Sequence, residues 1–250
     1  IEVLNFGVSG YGLDQSYLRY LEDGKQYKTH IVLIGFMSEN LQRNVNTFRP
    51  FYSPNTGIPL SKPRFITKDG SLSLIPNQLR TLDHYNMLLL EQKQVLSRLG
   101  RHDYYYQTRY RSQMLGWSPT AQLIKNVIHE FRNQWLGTSI LTFPNRTYNE
   151  TSEAFIVTTK LFEEFYDAVT KNGSMPVILL FPDHGDLNLH QQKQEKRYSP
   201  FLSYFNSNGY QYIDLMKALE TTDVKDLIHH HYTPLANRLV AKYILNYLNN

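Results

Sequence analysis

Three consecutive histidines, His229–His231, stand just ahead of a predicted helix near the end of the sequence. Thr233 can cap the first backbone N–H groups of that helix, and Pro234 needs no N–H at its first position. Apolar residues recur at helical spacing from Leu235 to Leu248 and predict one buried face. The positive end of the helix disfavours an imidazolium nearby, so a histidine held there stays neutral and can act as a general base. Three polar loop histidines without a chemical role are the alternative interpretation.

A glycine-rich turn is predicted near the start of the sequence, where Asn5-Phe-Gly7-Val-Ser-Gly10 follows an apolar run. This Asn-x-Gly-x-x-Gly pattern, together with His231-Tyr-Thr-Pro-Leu-Ala-Asn, resembles the SGNH (GDSL-type) ester hydrolases. A third block of that family, Gly-x-Asn-Asp, is matched loosely by Gly35 to Asn40. The Gly-Asp-Ser nucleophile block of the family is absent from the sequence. The resemblance covers roughly residues 1–45 and 150–250 and leaves out the middle of the chain.

The resemblance implies a single SGNH hydrolase-like α/β domain over residues 1–250, a three-layer α/β/α fold with a parallel, flavodoxin-like sheet. It implies an esterase or acyl-transfer enzyme that acts on O-acyl groups of carbohydrates or other small esters and needs no cofactor. The backbone N–H of Gly10 and the amide of Asn40 would stabilise the oxyanion, and His231 would be the general base. Strict alignment places Glu39 on the asparagine of the family, but glutamate has no donor, so the role is assigned to Asn40.

The serine nucleophile is expected upstream of Ile1, on a strand that pairs between the first two strands of this sequence. We therefore expect a gap between those two strands and no serine of this chain, Ser9 and Ser38 included, held against His231. An export signal or membrane tether in the same upstream segment is an expectation from cell-surface esterases of this type.

The residue that orients His231 is left open by the sequence. The family places an aspartate three residues before its histidine, but that position is Ile228 here. Asp226 has this spacing to His229 instead. Either Asp226 reaches His231 across the loop, or His231 works in a dyad with a backbone carbonyl as its partner.

Two other functions fit parts of the sequence. Asp183, His184 and Asp186 follow an apolar strand and, with the three histidines, could bind zinc or manganese in a metal-dependent hydrolase. No metal site is predicted as the first choice, because the spacing matches no known metal motif. A non-catalytic module that binds acylated polysaccharide is the remaining alternative, since the chain has no recognisable nucleophile.

The composition describes a globular chain and excludes some partners. Of 250 residues, 41% are hydrophobic and 19% charged, and 26 basic against 22 acidic residues leave a net charge of only +4. The basic residues are not clustered, so nucleic acid is not a predicted partner. Nineteen tyrosines suit a surface that binds sugars. The predicted partner is a small-molecule or polysaccharide ester, and the oligomeric state is left open.

The elements that position these residues alternate between strand and helix, which predicts a parallel sheet. Strands are predicted near residues 1–5, 30–36, 176–181 and 210–214. Residues 45–150 are predicted to be an insertion near the carboxyl ends of the strands, with a hairpin at Asp69-Gly70. Helices are predicted over 14–21, 82–99, 118–136 and 151–171 and from residue 199. Because ligands bind at the carboxyl edge of such sheets, Gly10, Asn40 and His231 should converge there, beside Asp226 or the Asp183–Asp186 loop.

Overall fold

The computed structural model describes residues 2–110, 139–142, 146–193 and 195–249. Its architecture is α/β, with helices packed against a parallel sheet. Along the chain the elements are α1 (Leu13–Arg19), β1 (Ile31–Met37), α2 (Arg49–Tyr52), β2 (Arg64–Lys68), β3 (Ser71–Ile75), α3 (Leu82–Leu90), α4 (Gln92–Gly100), α5 (Glu153–Lys171), β4 (Met175–Phe181), α6 (His184–Lys193), α7 (Ser199–Ser207), β5 (Tyr212–Asp214), α8 (Met216–Leu219), α9 (Val224–Leu227) and α10 (Pro234–Leu248). Within the described residues, no helix is both long and apolar enough to cross a lipid bilayer.

The parallel sheet has the strand order β1-β4-β5. Met37 lies opposite Phe181, and Leu180 lies opposite Asp214, so the three strands end at one edge. The segments that follow the strands therefore meet at this carboxyl edge, which is where the sequence places its candidate residues. The predictions of β1, β4 and β5 are confirmed, each with ends shifted by no more than two residues.

The core explains why these segments form strands. Val177, Ile178 and Leu180 of β4 are all fully buried, as expected for a strand covered on both faces. β1 instead alternates: Ile34 and Phe36 are buried, whereas Leu33 is 39% exposed. The ring of Phe36 packs edge-on against Phe162 of α5 at a centroid distance of 5.3 Å, which attaches α5 to the sheet.

Residues 2–5 do not form the predicted strand, and this prediction is wrong for the described residues. Val3 is 78% exposed and Leu4 is 43% exposed. A strand needs a neighbour to satisfy its N–H and C=O groups, and no strand in the described part of the chain pairs with the outer edge of β1. Because the first strand does not form, the expected gap between it and β1 is not tested.

A buried arginine and a buried aspartate organise residues 45–110, and the arginine also attaches them to α5. Arg64 is 1% exposed. Its guanidinium donates to the carbonyl of Val45 at 3.1 Å, to the carbonyl of His102 and to the carboxylate of Glu153 at the start of α5. Asp103 accepts from the backbone N–H groups of Thr47 (2.6 Å) and Tyr106 (3.0 Å). These hydrogen bonds are internal to the inserted region except for the Arg64–Glu153 pair, which connects it to α5.

Within that region the hairpin prediction is confirmed, and the long helix is corrected. Strands β2 and β3 pair through Asp69 and Gly70, whose φ angles of 51° and 78° suit a tight two-residue turn. The helix predicted over 82–99 is two helices, because Glu91 leaves the helical region with φ −125° and ψ 41°. The helix predicted over 118–136 lies outside the described residues.

Candidate functional site

A buried polar cluster joins the segments that follow β1 and β4. We call it the Ser38 cluster; it consists of Ser38, Asp183, Asp186 and Arg197. The Ser38 hydroxyl donates to Oδ2 of Asp186 and lies 3.3 Å from Oδ2 of Asp183. The two aspartates also accept from each other's backbone, Asp183 N to Asp186 Oδ2 at 3.1 Å and Asp186 N to Asp183 Oδ1 at 2.9 Å. The turn after β1 is therefore fixed to the first turn of α6.

Arg197 provides the positive charge of the cluster. Its Nε donates to Oδ1 of Asp186 at 2.8 Å, and its Nη2 donates to Oδ1 of Asp183. A Cβ at Gly185 would lie 2.9 Å from this Nη2, so the glycine permits the close approach of the guanidinium. Burial lowers the pKa of Arg197, but the two carboxylates outweigh that effect and raise it.

Burial dominates the electrostatics of Asp186. The pKa of Asp186 is raised to about 6: removal of its carboxylate from water and, next, the charge of Asp183 raise it, against the opposing effects of Arg197 and Ser38. Burial likewise raises the pKa of Tyr148, with Asp186 as the next cause. Tyr148 N donates to the carbonyl of Arg197 at 3.0 Å, so this tyrosine is tied to the same cluster.

The aspartates proposed as metal ligands are bound by protein donors instead. Both carboxylates pair with Arg197, and the ring of His184 hydrogen-bonds Asn188 at 3.0 Å on the exposed side of α6. Within the described residues, no three His, Cys, Asp or Glu side chains are arranged to hold a metal ion. The geometry of Asp183, His184 and Asp186 therefore lends no support to the metal-dependent alternative.

The histidine loop is a tight connection between α9 and α10. Ile228 and Tyr232 form an isolated antiparallel bridge, and His229 N donates to the carbonyl of His231 at 3.2 Å. Thr233 caps α10 by accepting from Ala236 N at 3.2 Å, with Pro234 in the first helical position, which confirms the predicted helix start.

The residue that follows His231 anchors this loop at the carboxyl edge. The hydroxyl of Tyr232 donates to the carbonyl of Pro182 at 2.7 Å, directly after the end of β4. The side chain of His231 is exposed, and so is that of Asp226. Asp226 is joined to the loop through its backbone, since its carbonyl accepts from the Thr233 hydroxyl at 2.7 Å. Neither a hydrogen bond nor an ion pair connects the Asp226 carboxylate with His231, both of which are described.

The turn that carries Gly10 contacts the segment that carries Asn40. Asn40 is in the 3₁₀ segment Ser38–Val45, which we call the post-β1 turn. Gly10 is exposed, with φ 84°, and the carbonyl of the next residue, Tyr11, accepts from Nη1 of Arg43 in the post-β1 turn at 3.4 Å. The Oδ1 atom of Asn40 is buried without a hydrogen-bond partner among the described residues.

The other two predicted blocks are thus connected to the post-β1 turn, which itself carries Asn40. The Gly10 turn contacts its far end, the Ser38 cluster fixes its beginning to the Asp183–Asp186 loop, and the histidine loop packs on Pro182 beside that loop. No direct hydrogen bond joins Gly10, Asn40 and His231 to one another, and their roles stay predictions.

Sequence reasoning missed Ser38 and Arg197 as partners of the two aspartates, and Tyr148 as a neighbour bound to Arg197. Ser38 and Arg197 are separated from Asp186 by 148 and 11 positions, and no local spacing relates them. The one available signal was Gly185 between two acidic residues, which is typical of a close backbone approach. Comparisons of the chain with protein-family models, with curated proteins and with solved structures find no match.

Proposed function

We propose that this chain is the framework of an SGNH-type ester hydrolase or acyl-transfer enzyme with a three-layer α/β/α fold, acting on O-acyl groups of carbohydrates or other small esters. The observation that carries the proposal is the connection of the post-β1 turn, which bears Asn40, directly to the Gly10 turn and through the Asp183–Asp186 loop to the histidine loop, at the carboxyl edge of the sheet. Open parallel sheets bind their ligands at this edge.

The chemistry proposed for these residues is two-step acyl transfer. A neutral His231 takes the proton of a serine hydroxyl as its oxygen attacks the ester carbonyl, and the Gly10 N–H and Asn40 amide donate to the oxyanion. Collapse of the tetrahedral intermediate expels the alcohol, which receives the proton from His231. Water, or an acceptor hydroxyl in the transfer reaction, then attacks the acyl-serine by the same path.

The buried Oδ1 atom of the half-buried Asn40 supports its assignment. A buried polar atom without a partner costs free energy, so its position favours a ligand that can hydrogen-bond there. Rotation of the amide by 180° exchanges Oδ1 for the NH₂ group, so the same position can present a donor. That donor is what a developing oxyanion requires.

The serines near the site are poor candidates for the nucleophile. Ser38 is fully buried and bound to Asp186, and Ser9 lies exposed in the Gly10 turn. We therefore place the nucleophile on a segment outside residues 1–250, paired with the outer edge of β1. In the described part of the chain no strand pairs with that edge, and Leu33 of β1 is 39% exposed, both of which support that position.

A fluorophosphonate probe, which reacts covalently with activated serines, tests this function. In the longest natural chain that carries this sequence, we expect one labelled serine, located by mass spectrometry outside residues 1–250. His231→Ala should abolish labelling and hydrolysis of acetylated sugars, whereas His230→Ala, the matched control, should preserve both. Labelling of Ser9 or Ser38 would overturn the placement of the nucleophile. Retained sugar binding with neither labelling nor hydrolysis would indicate the binding module instead.

A further inference from the structure

Three arginines and two tyrosines form a surface next to the post-β1 turn. We call it the arginine–tyrosine surface: Arg43, Arg49, Tyr52 and Arg109 reach solvent, and Tyr105, only 1% exposed, is buried beside Tyr52. The rings of Tyr52 and Tyr105 lie 5.0 Å apart, and the guanidinium carbon of Arg109 lies 5.2 Å from the centroid of the Tyr105 ring. Arg49 and Tyr52 share the short helix α2, and Arg43 belongs to the post-β1 turn itself.

This surface is continuous with the candidate site. The hydroxyl of Tyr105 donates to Oε1 of Gln42 at 3.0 Å, two residues after Asn40. Arg43 reaches in the other direction, to the carbonyl of Tyr11 beside Gly10 at 3.4 Å. A ligand bound at Asn40 and extending over the post-β1 turn would therefore pass directly across these side chains.

The charge of the surface is mainly positive. Burial and the nearby Glu39 raise the pKa of Tyr52, and three guanidinium groups lower it: those of Arg43, Arg49 and Arg109. Three cations and one carboxylate therefore lie close enough to the Tyr52 hydroxyl to influence its charge. Arg43 and Arg49 form no ion pair with a carboxylate in the part of the chain that the structure describes. Arg43 donates to the Tyr11 carbonyl, and Arg49 Nε donates to the Thr56 hydroxyl at 3.0 Å. Each guanidinium retains further N–H donors for a ligand.

These side chains match one class of ligand. Guanidinium groups bind carboxylates through paired N–H donors, and the half-buried Tyr52, which packs beside the buried ring of Tyr105, offers a rigid amphipathic ring for contact with a sugar. We propose that the arginine–tyrosine surface is a subsite for a carboxylate-bearing sugar unit, so that the substrate of the proposed esterase is an acylated acidic oligosaccharide or polysaccharide. The ester part of this inference rests on the proposed function, whereas binding of the acidic sugar does not.

The test measures binding apart from turnover. In the natural chain carrying His231→Ala, isothermal titration with an unacylated oligogalacturonate should show binding that weakens with salt, because surface charges are screened. The neutral methyl ester of the same oligosaccharide should bind at least about tenfold more weakly, the loss expected when charge-assisted hydrogen bonds disappear. Equal affinity for the two would overturn the proposal.

Variants locate the subsite. Arg43→Gln and Arg49→Gln should each weaken oligogalacturonate binding by about three- to tenfold, and the double variant by more. Arg43→Lys, which keeps the charge but loses the fork geometry, should be intermediate. Arg80→Gln removes the same charge from an exposed loop ahead of α3 and should leave binding unchanged; thermal unfolding confirms that each variant is folded.

Other outcomes identify other ligands or separate the two proposals. Tighter binding of a sulfated oligosaccharide or a single-stranded oligonucleotide of equal charge would contradict a carboxylated sugar. Unchanged affinity in the double variant would contradict the location. If acidic sugar binds through these arginines but no ester of it is hydrolysed by the unmutated chain, the subsite stands and the proposed function fails. If neutral acetylated sugars are hydrolysed and acidic ones are not bound, the proposed function stands and the subsite fails.

Discussion

Ser38 donates its hydroxyl hydrogen to Asp186, 148 positions further along the chain, and both side chains are fully buried. This one contact joins the carboxyl end of β1 to the first turn of α6. Asn40 lies two residues after Ser38, so the geometry of the proposed oxyanion donor depends on a hydrogen bond to a different strand connection. Stability and activity should therefore both respond to changes in the Ser38 cluster.

Asp186→Ala should destabilise the fold by about 3 kcal/mol, because it leaves the partly buried guanidinium of Arg197 with one carboxylate fewer. Urea unfolding measures the change. Asp23→Ala is the matched control: it removes an aspartate from the exposed pair with Arg19, and such pairs contribute less than about 1 kcal/mol. Equal losses in the two variants would show that the Ser38 cluster does not stabilise the fold.

The pH dependence of stability should carry the signature of Asp186. Its pKa is raised from 3.8 to about 6 on folding, so between these values the folded state binds a proton that the unfolded state has released. Stability from this group is thus fully present below about pH 4 and is lost as the pH rises to about 6, by up to roughly 3 kcal/mol. Asp186→Asn cannot titrate, so the difference in unfolding free energy between the two proteins should shift by that amount over this window. A difference that is constant with pH would contradict the raised pKa.

His231→Ala in the active natural chain should lower kcat by about 10²–10⁴-fold, the usual contribution of a general base. Asp226→Asn should change kcat little, because the exposed Asp226 carboxylate makes no contact with His231. Steady-state hydrolysis of an acetylated sugar measures both. A large loss in Asp226→Asn would show that the aspartate reaches His231 when substrate binds. A large loss in His229→Ala, with His231→Ala active, would move the base by two residues.

Asn40→Ala should lower kcat by about 10²–10³-fold with little change in KM, as expected for a donor that acts on the oxyanion rather than on bound substrate. Glu39→Gln in the same turn is the neighbouring control and should retain kcat. If Glu39→Gln is the variant that loses activity, the alignment of this block is displaced by one residue.

Treatment with EDTA followed by dialysis should leave ester hydrolysis unchanged. Asp183 and Asp186 are engaged by Arg197 and Ser38, so they are not available as ligands for a catalytic ion. Loss of activity that returns on addition of zinc or manganese would favour the metal-dependent mechanism.

The parts of the fold that were predictable are those with a local physical signature. β4 is a continuous apolar run because it is buried on both faces, and the start of α10 follows from Thr233-Pro234. The residues 2–5 fail as a strand because strand formation depends on a neighbour that no local pattern encodes. The break at Glu91 has no local signature either, since residues 82–99 have no proline or glycine.

The residues of the candidate site likewise divide into those with a local sequence signature and those without one. His231 and Gly10 stand in short motifs that fix a helix start and a turn, so their positions could be predicted. Arg197 could not, because the sequence has many arginines and only the folded chain shows which of them meets Asp183 and Asp186. Long-range contacts of this kind have no spacing to detect.

The outer edge of β1 has a consequence for solvent exchange. Met175 N donates to the carbonyl of His30, so the parallel ladder directs the amides of Val32, Ile34 and Phe36 towards β4, and those of Leu33 and Gly35 away from it. Deuterium uptake along β1 should therefore alternate from residue to residue, slow at the inward amides and fast at the outward ones. Any segment that pairs with this edge would slow only the fast set, so amide exchange at Leu33 and Gly35 reports strand addition directly, in the absence of any substrate.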